Sequence, residues 1–308
     1  MIRFGVAGYP LAFGRSAYSR DRLKIIDWLT EIGLDALELQ MTYGPRTKPE
    51  TCALMRERAN SAGIKLSVHA SYFIVFTSGE EEKIDRSSET LKRTYDLASQ
   101  LEAKAIVLHP GPLYAGTEGD ALDRFCENAS ACLRAIGRTD IGLFVETAGK
   151  VGQLGSFDDI LRMCSRLDGV FPCIDFGHVH ARTLGTLDNE GAINALVIRL
   201  IDFLKSHSNP RVHFHYTPIH YGPRGEIQHR AIKDTYEKVA APDLFGAAPV
   251  GTSSRDGYYH PRFEPVSKAL AGIDFDFTVI SETHNSQEEG ALALKAAYSA
   301  FIQRALTE

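Results

Sequence analysis

The sequence predicts an α/β fold, a closed (βα)₈ barrel of the TIM type, from two observations. Short apolar runs rich in Val and Ile alternate with helical patterns along most of the chain, which is typical of βαβ units with a parallel sheet. Six of these runs end on a histidine or a carboxylate: His69, His109, Glu146, Asp175, His215 and Glu282. Because all strands of such a barrel end at one face, these side chains are expected to share one pocket.

The predicted elements follow in chain order. The first two strands are apolar runs at about 2–7 and 36–39, and six more end at the polar residues just named. One helix is expected from about Ser19, with Ser19 or Asp21 as its cap, and another over about 49–62, where Gly63 ends it. Further helices are expected at about 80–101, 119–136, 157–167, 189–206 and 287–306. Eight βα units with right-handed crossovers complete the barrel.

The length suits one domain. A barrel of this type needs about 250 residues, so residues 1–308 are predicted to form a single TIM-barrel domain. A long loop insertion is expected at about 216–263, since about sixty residues separate His215 from Phe277. Long loops at the catalytic face usually serve the substrate, so the first half of the insertion is expected to be functional. No role is assigned to 240–262.

Composition narrows the class of function. A formal net charge of −5 gives no global basic field, which argues mildly against a nucleic-acid substrate unless metals or local cations supply positive charge. The five cysteines form no CxxC pair and are odd in number, which favours a reduced, cytoplasmic compartment. No apolar stretch is long enough for a signal peptide or a membrane span, and no obligate protein partner is evident.

The polar residues at the strand ends have the chemistry of a metal cluster. One set is His69, His109 and Glu146; a second is Glu146, Asp175, His215 and Glu282, if Glu146 bridges; a third begins at His178, with His229 and Glu226 as candidates to complete it. Carboxylates at close range repel one another, and bound cations are the simplest remedy. Mixed imidazole and carboxylate ligation suits Zn²⁺, with Mn²⁺ and Fe²⁺ as alternatives. Two or three clustered ions suit phosphate ester chemistry.

One choice of ligand stays open at this point. His213 and His215 lie two residues apart in one strand, so their side chains point to the same side. One of them is expected to bind metal and the other to line the pocket or support the ligand. His215 is placed among the ligands, with His213 as its alternative.

Five short motifs together resemble the endonuclease IV family. They read SVHASY at 67–72, LHPG at 108–111, ETAG at 146–149 with LG at 154–155, IDFGH at 174–178 and ISET at 280–283. The resemblance runs in register from about the third strand to the C-terminus, and the segment 213–229 is most similar to archaeal-type members. Members of this family are metal-dependent apurinic/apyrimidinic endonucleases with a xylose-isomerase-like TIM barrel.

The resemblance implies a trinuclear zinc site and a DNA substrate. The first ion would take His69, His109 and Glu146, the second Glu146, Asp175, Glu282 and His215 or His213, and the third His178 and His229. Glu146 and Tyr72 would be the catalytic residues, with Tyr72 on the substrate backbone. The family cleaves the phosphodiester 5′ to an abasic site and leaves a 3′-hydroxyl and a 5′-deoxyribose phosphate, so abasic-site DNA is the expected partner. Candidate cations for DNA contact are Arg224, Arg15, Arg20 and Arg46.

Two departures from the family pattern bear on this expectation. Ile227 stands where the family has the Asp of an Asp-x-His pair, which leaves Glu226 as the candidate replacement. The loop after the second strand, 41–46, does not match the DNA-penetrating loop of the family. The metal chemistry is therefore better supported than the DNA substrate.

A mononuclear sugar isomerase or epimerase on the same barrel is the alternative enzyme. Such relatives bind one metal through a Glu, Asp, His, Glu quartet, and this chain has one in Glu146, Asp175, His215 and Glu282. A one-metal isomerase does not need His109, His178 or His229, and all three are present, so the phosphodiesterase is preferred. A binding protein on an inactive barrel would be expected to lose ligands, and at most one is lost.

Overall fold

Eight parallel strands close into a barrel in the computed structural model, which describes residues 1–114, 117–238 and 257–307. The strands in chain order are β1 (Ile2–Ala7), β2 (Ala36–Gln40), β3 (Lys65–His69), β4 (Ala105–Leu108), β5 (Gly111–Pro112), β6 (Gly142–Glu146), β7 (Gln153–Leu154), β8 (Val170–Asp175), β9 (Val212–Tyr216), β10 (Ile219–Gly222), β11 (Gly225–His229) and β12 (Phe277–Ser281). The barrel order is β1, β12, β9, β8, β6, β4, β3 and β2, and β1 pairs with both β2 and β12. The predicted fold class is confirmed.

Helices cover the outside of the barrel. They are α1 (Leu11–Arg15), α2 (Ile25–Glu31), α3 (Pro49–Ala62), α4 (Glu81–Gln100), α5 (Glu118–Ile136), α6 (Phe157–Arg166), α7 (Phe176–Arg182), α8 (Glu190–Lys205), α9 (Phe263–Leu270) and α10 (Gln287–Thr307). The helix predicted from Ser19 begins later, at Ile25, because the Asp21 side chain accepts the Leu23 N–H at 2.9 Å and caps a short 3₁₀ turn instead. Among the described residues, no helix is both long enough and apolar enough to cross a membrane.

Apolar side chains close the amino-terminal end of the barrel interior. Val107, Phe144 and Cys173 are buried there, and Ala105 and Phe171 pack against them. The main core lies between the strands and the helices, as a (βα)₈ barrel requires. The buried histidines and carboxylates lie above this cluster, in the middle and at the carboxyl-terminal end of the barrel, whereas basic side chains such as Arg211 line its amino-terminal end.

The insertion expected at about 216–263 begins as a hairpin of β10 and β11, followed by a 3₁₀ turn at Ile232–Thr235. The hairpin packs on the loop after β6: Val151 N–H donates to Arg224 O at 3.1 Å, and Glu226 N–H donates to Gly149 O at 3.0 Å. Gly225 has φ +86°, and a Cβ there would lie 2.2 Å from Gly149 O, so only glycine permits this approach. Most of 240–262 lies outside the described residues, and the single-domain assignment stays a prediction.

Candidate metal centre

Six barrel strands bring the predicted ligands to one pocket at the carboxyl-terminal face. β3, β6 and β8 end on His69, Glu146 and Asp175, and His215 is the penultimate residue of β9. His109 and Glu282 directly follow β4 and β12. Their ligand atoms, with those of the hairpin and α7, form groups whose atoms all lie within 4.8 Å of one another. Four of these groups are His69, Glu146 and His215; His109, Glu146 and His178; His178, Glu226 and His229; and Glu146, Asp175, His215 and Glu282.

Glu146 lies at the centre of the cluster and is fully buried. Its Oε2 is 3.1 Å from His69 Nε2 and 3.3 Å from His109 Nε2, and its Oε1 is 3.1 Å from Nδ1 of both His178 and His215. Burial alone would raise the pKa of this carboxyl, but the imidazoles of His109 and His215 hold the pKa well below its usual value. A carboxylate with imidazole nitrogens at both oxygens has the placement that a bridging metal ligand needs.

Asp175, His215 and Glu282 complete a second group around Glu146. Asp175 Oδ1 accepts the backbone N–H of His178 at 2.7 Å and caps α7, while Asp175 Oδ2 is buried with no hydrogen-bond partner among the described residues. His215 Nδ1 lies 3.6 Å from Glu282 Oε1, and burial, with the nearby Glu146 carboxylate, raises the pKa of Glu282. Three carboxylates at this range, one with an unpaired buried oxygen, are unfavourable without a cation. The donor set fits a divalent metal ion.

The third group consists of His178, Glu226 and His229. His178 Nδ1 is 3.0 Å from the carbonyl oxygen of Thr147, and His229 Nδ1 is 3.1 Å from that of Glu282. A carbonyl only accepts, so each imidazole donates through Nδ1 and, when neutral, presents a lone pair on Nε2. The two Nε2 atoms are 3.3 Å apart, and Glu226 oxygens lie 3.7 and 3.5 Å from them. Two lone pairs and a carboxylate that converge in this way fit a cation between them.

A β-bulge brings Glu226 into this group. The pairing of β10 with β11 shifts by one residue between His220 and Tyr221, which leaves Ile227 of β11 without a partner and 55% exposed. An extra residue interrupts the alternation of side chains along a strand. Glu226 and His229, three positions apart, therefore face the same side, although a regular strand would separate them. This placement is the one that a replacement for the Asp of the Asp-x-His pair would need.

A family model described as xylose isomerase-like TIM barrel matches residues 26–302. The chain belongs to this xylose isomerase-like family. An uncharacterized protein of Methanocaldococcus jannaschii is 25% identical to it over 297 residues, 96% of each chain. A protein named probable endonuclease 4, from Nitratidesulfovibrio vulgaris, is 28% identical over 174 residues, which are 53% of this chain and 61% of that protein. The predicted relation to endonuclease IV is confirmed at this level of sequence similarity.

Solved structures of the xylose isomerase-like fold are similar over nearly the whole chain. Endonuclease IV from Thermus thermophilus has a TM-score of 0.62 and 19% identity, over 98% of this chain and 99% of that one. D-Psicose 3-epimerase from Clostridium cellulolyticum has a TM-score of 0.60 and 13% identity, over 98% and 97%. Such identities show the fold alone, and a nuclease and an epimerase share it. Function must therefore be argued from the site.

His213 and His215 differ in depth within this xylose isomerase-like barrel. His215 takes part in the groups around Glu146, whereas His213 lies closer to the amino-terminal end, where its ring packs 5.8 Å from that of Phe144. His213 Nε2 is 3.0 Å from Glu38 Oε2 and is not part of the four groups above. The geometry therefore favours His215 as the ligand, and the alternative His213 occupies the layer below it.

Glu38 is the residue of this centre that the sequence analysis missed. It lies in the middle of β2, is fully buried, and groups with His213 and His215. Burial alone would raise the pKa of Glu38, but those two imidazoles hold the pKa well below its usual value. A signal was present, because Glu38 and Gln40 alternate with the apolar Leu37 and Leu39 and so share one face of the strand. That face is the inside of the barrel.

The predicted substrate residues differ in how close they lie to the ligand groups. Tyr72 is 52% exposed, and its ring lies 5.4 Å from that of His69 and 5.3 Å from that of His109, nearly parallel to the latter. Arg224 is exposed in the turn of the hairpin, at the edge of the third group. Arg15 lines a cavity beside His229, while Arg20 and Arg46 are exposed outside the ligand groups. Contact with a substrate stays a prediction for all of them.

The metal-free protein is expected to lose thermal stability as pH rises from about 6.5 to about 9. Burial alone would lower the pKa of His69, but hydrogen bonding and charge from Glu146 raise the pKa to about 9, above its ordinary value of 6.5. This raised pKa stabilises the folded chain fully below about pH 6.5, and the contribution is lost as pH rises through about 9. Bound metal takes the place of the proton, so the metal-loaded protein should show no such loss. Melting temperatures with and without chelator check this, and identical pH profiles would contradict it.

Proposed function

We propose that this protein is a metal-dependent phosphodiesterase that cleaves the DNA backbone 5′ to abasic sites, in keeping with its resemblance to endonuclease IV. The observation that carries the proposal is the third ligand group. His178 and His229 present Nε2 atoms 3.3 Å apart beside the Glu226 carboxylate, and a one-metal isomerase has no use for such a group. A β-bulge in the hairpin places Glu226 beside His229 in this group, which favours a cluster of metal sites over a single metal site.

Three sets of residues would hold two or three ions. His69, His109 and Glu146 would hold one, since both imidazoles approach the same oxygen of Glu146. Glu146, Asp175, His215 and Glu282 would hold a second, and His178, Glu226 and His229 a third. Zn²⁺ suits these nitrogen and oxygen donors best, with Mn²⁺ and Fe²⁺ as alternatives. When bound, clustered divalent ions supply Lewis acidity and an activated nucleophile for hydrolysis of a phosphate ester. The chain itself orients the imidazoles, since backbone carbonyls fix the outer nitrogens of His178 and His229.

A cavity of about 540 Å³ next to the third group supports an anionic substrate. His229 forms part of its wall, and the cations Arg15, Arg230 and Lys233 line it together with the carboxylates Asp234 and Glu289. Arg230 is paired with Asp234 at 2.9 Å, whereas Arg15 and Lys233 have no carboxylate within 4 Å among the described residues. The net charge of −5 gives no overall attraction for DNA, and Arg15 and Lys233 would supply positive charge at this cavity. They would suit the phosphates next to the one that is cleaved.

A sugar epimerase is the second candidate, because Glu146, Asp175, His215 and Glu282 alone form a one-metal quartet within 4.8 Å. The chain also has no match to the DNA-penetrating loop in the segment 41–46. In an epimerase the third group would be dispensable, and a neutral sugar would not need the cations beside His229. Both differences are open to experiment.

One experiment separates the two functions. The purified protein is analysed for metal by mass spectrometry and then assayed on a duplex with one tetrahydrofuran abasic analogue, with an undamaged duplex as control. We expect two or three zinc ions per chain, nicking 5′ to the analogue only, loss of nicking on chelation, and weaker DNA binding as salt rises. One ion per chain, no nicking, and interconversion of a ketose with its epimer would instead establish the epimerase.

A further inference from the structure

We propose that Glu38 is a positioning residue that sets the orientation and tautomer of the metal ligand His215. The proposal rests on the metal centre of the proposed function but not on its DNA substrate, since His215 belongs to the ligand set of either enzyme. β2 pairs with β1 and β3, while β9 pairs with β8 and β12, so the two strands are not neighbours in the barrel. The contact between Glu38 and His215 therefore spans the barrel interior.

Both oxygens of Glu38 are engaged. Oε1 lies 3.0 Å from His215 Nε2, and Oε2 lies 3.0 Å from His213 Nε2 and accepts from Ser67 Oγ at 2.9 Å. Gln40 Nε2 donates at 3.4 Å to Oε1 of Glu38 and to Oε1 of Glu282, and so links this carboxylate to a ligand of the second group. Each of these contacts joins Glu38 to a group that can donate, as a buried carboxylate needs.

Each ring nitrogen of His215 faces a carboxylate. Nδ1 hydrogen bonds to Glu146 Oε1 at 3.1 Å and lies 3.6 Å from Glu282 Oε1, whereas Nε2 lies 3.0 Å from Glu38 Oε1 without hydrogen-bond geometry. A cation held by Glu146, Asp175 and Glu282 would take the lone pair of Nδ1, and the proton of the neutral imidazole would then lie on Nε2, beside the Glu38 carboxylate. The opposite tautomer would aim a proton into the metal position and leave Nε2 as a second acceptor against the carboxylate. Glu38 thereby selects the form of His215 that can bind metal.

A purely structural role does not account for this carboxylate. Glu38 is 0% exposed, and an apolar side chain in its place would avoid the cost of a buried charge. The interior is layered: apolar Phe144 lies beneath His213, His213 and Glu38 form the next layer, and His215 stands above them. The charged layer thus lies between Phe144 and the ligands, and its carboxylate contacts the ligand His215 directly.

Glu38→Gln tests the role with little change in volume. An amide keeps one acceptor oxygen and cannot accept from His215 and His213 at once, so His215 loses its fixed tautomer. We expect zinc affinity at the second group to fall by about 10- to 100-fold, measured by competition with a chromophoric chelator. The matched control is Asp159→Asn, which neutralises another buried carboxylate, at the N-terminus of α6. Asp159 belongs to none of the ligand groups, so this variant should leave zinc affinity unchanged.

A second measurement needs no variant. Nitrogen-15 shifts of the histidines in the zinc-loaded wild-type protein should show His215 protonated on Nε2. A proton on Nδ1, or wild-type zinc affinity in folded Glu38→Gln, would overturn the positioning role while leaving the proposed function intact. No binding of zinc by the wild-type protein would overturn the proposed function, and this role with it. DNA cleavage is not needed for either readout, so the two failures are distinguishable.

Discussion

Glu146→Gln is expected to lower cleavage of abasic DNA on the order of 10³-fold, equivalent to about 4 kcal/mol in the activation barrier. The carboxylate faces His69 and His109 through one oxygen and His215 through the other, so it stands in both the first and the second ligand set. The amide removes the charge that two ions would share and keeps one acceptor oxygen instead of two. The number of bound ions should therefore fall together with the rate.

Single-turnover nicking of the tetrahydrofuran duplex and metal analysis of the same preparation measure this result. Glu288→Gln serves as the control, because Glu288 is also a buried carboxylate but belongs to none of the ligand groups. It should retain both its metal and its activity. A Glu146→Gln protein that cleaves at the wild-type rate with a full complement of metal would show that Glu146 does not bridge.

The strand ends could be predicted because the signals that define them are local. An apolar run sets each strand, and the polar residue that ends it lies at the carboxyl-terminal face by the direction of the parallel sheet alone. His69, His109 and Glu146 needed no knowledge of their neighbours to be placed in one pocket. Closure of the barrel, which pairs β1 with β12, then brings the first and last strands to the same site.

Features that depend on contacts distant in sequence could not be predicted. Glu38 and His213 are 175 positions apart in the sequence and contact each other inside the barrel. No sequence pattern near Glu38 indicates this contact. The choice of His215 over His213 depends on how far each side chain lies from the carboxyl-terminal end of the barrel. Strand periodicity predicts which side a residue faces, but it does not predict this distance. The register shift that leaves Ile227 unpaired depends on how the hairpin packs against Gly149, and it decides whether Glu226 can join His229.

His229→Ala should separate the two enzyme classes most sharply. His229 contributes Nε2 to the third group and lies outside the quartet of Glu146, Asp175, His215 and Glu282. Its loss should remove one ion per chain and lower cleavage of abasic DNA on the order of 10²-fold, because a multinuclear phosphodiesterase divides its charge stabilisation among its ions. A one-metal epimerase would keep its metal and its rate, since the quartet is untouched.

The control for this variant is His207→Ala, which removes a histidine that hydrogen bonds to Phe203 O and belongs to no ligand group. Metal content is read by mass spectrometry, and rates are read on both the abasic duplex and a ketose. Loss of an ion with loss of nicking in His229→Ala alone supports the phosphodiesterase. If His229→Ala keeps every ion and every activity of the wild-type protein, the third group holds no metal. The convergence of His178, Glu226 and His229 would then serve only to pack the hairpin on the barrel.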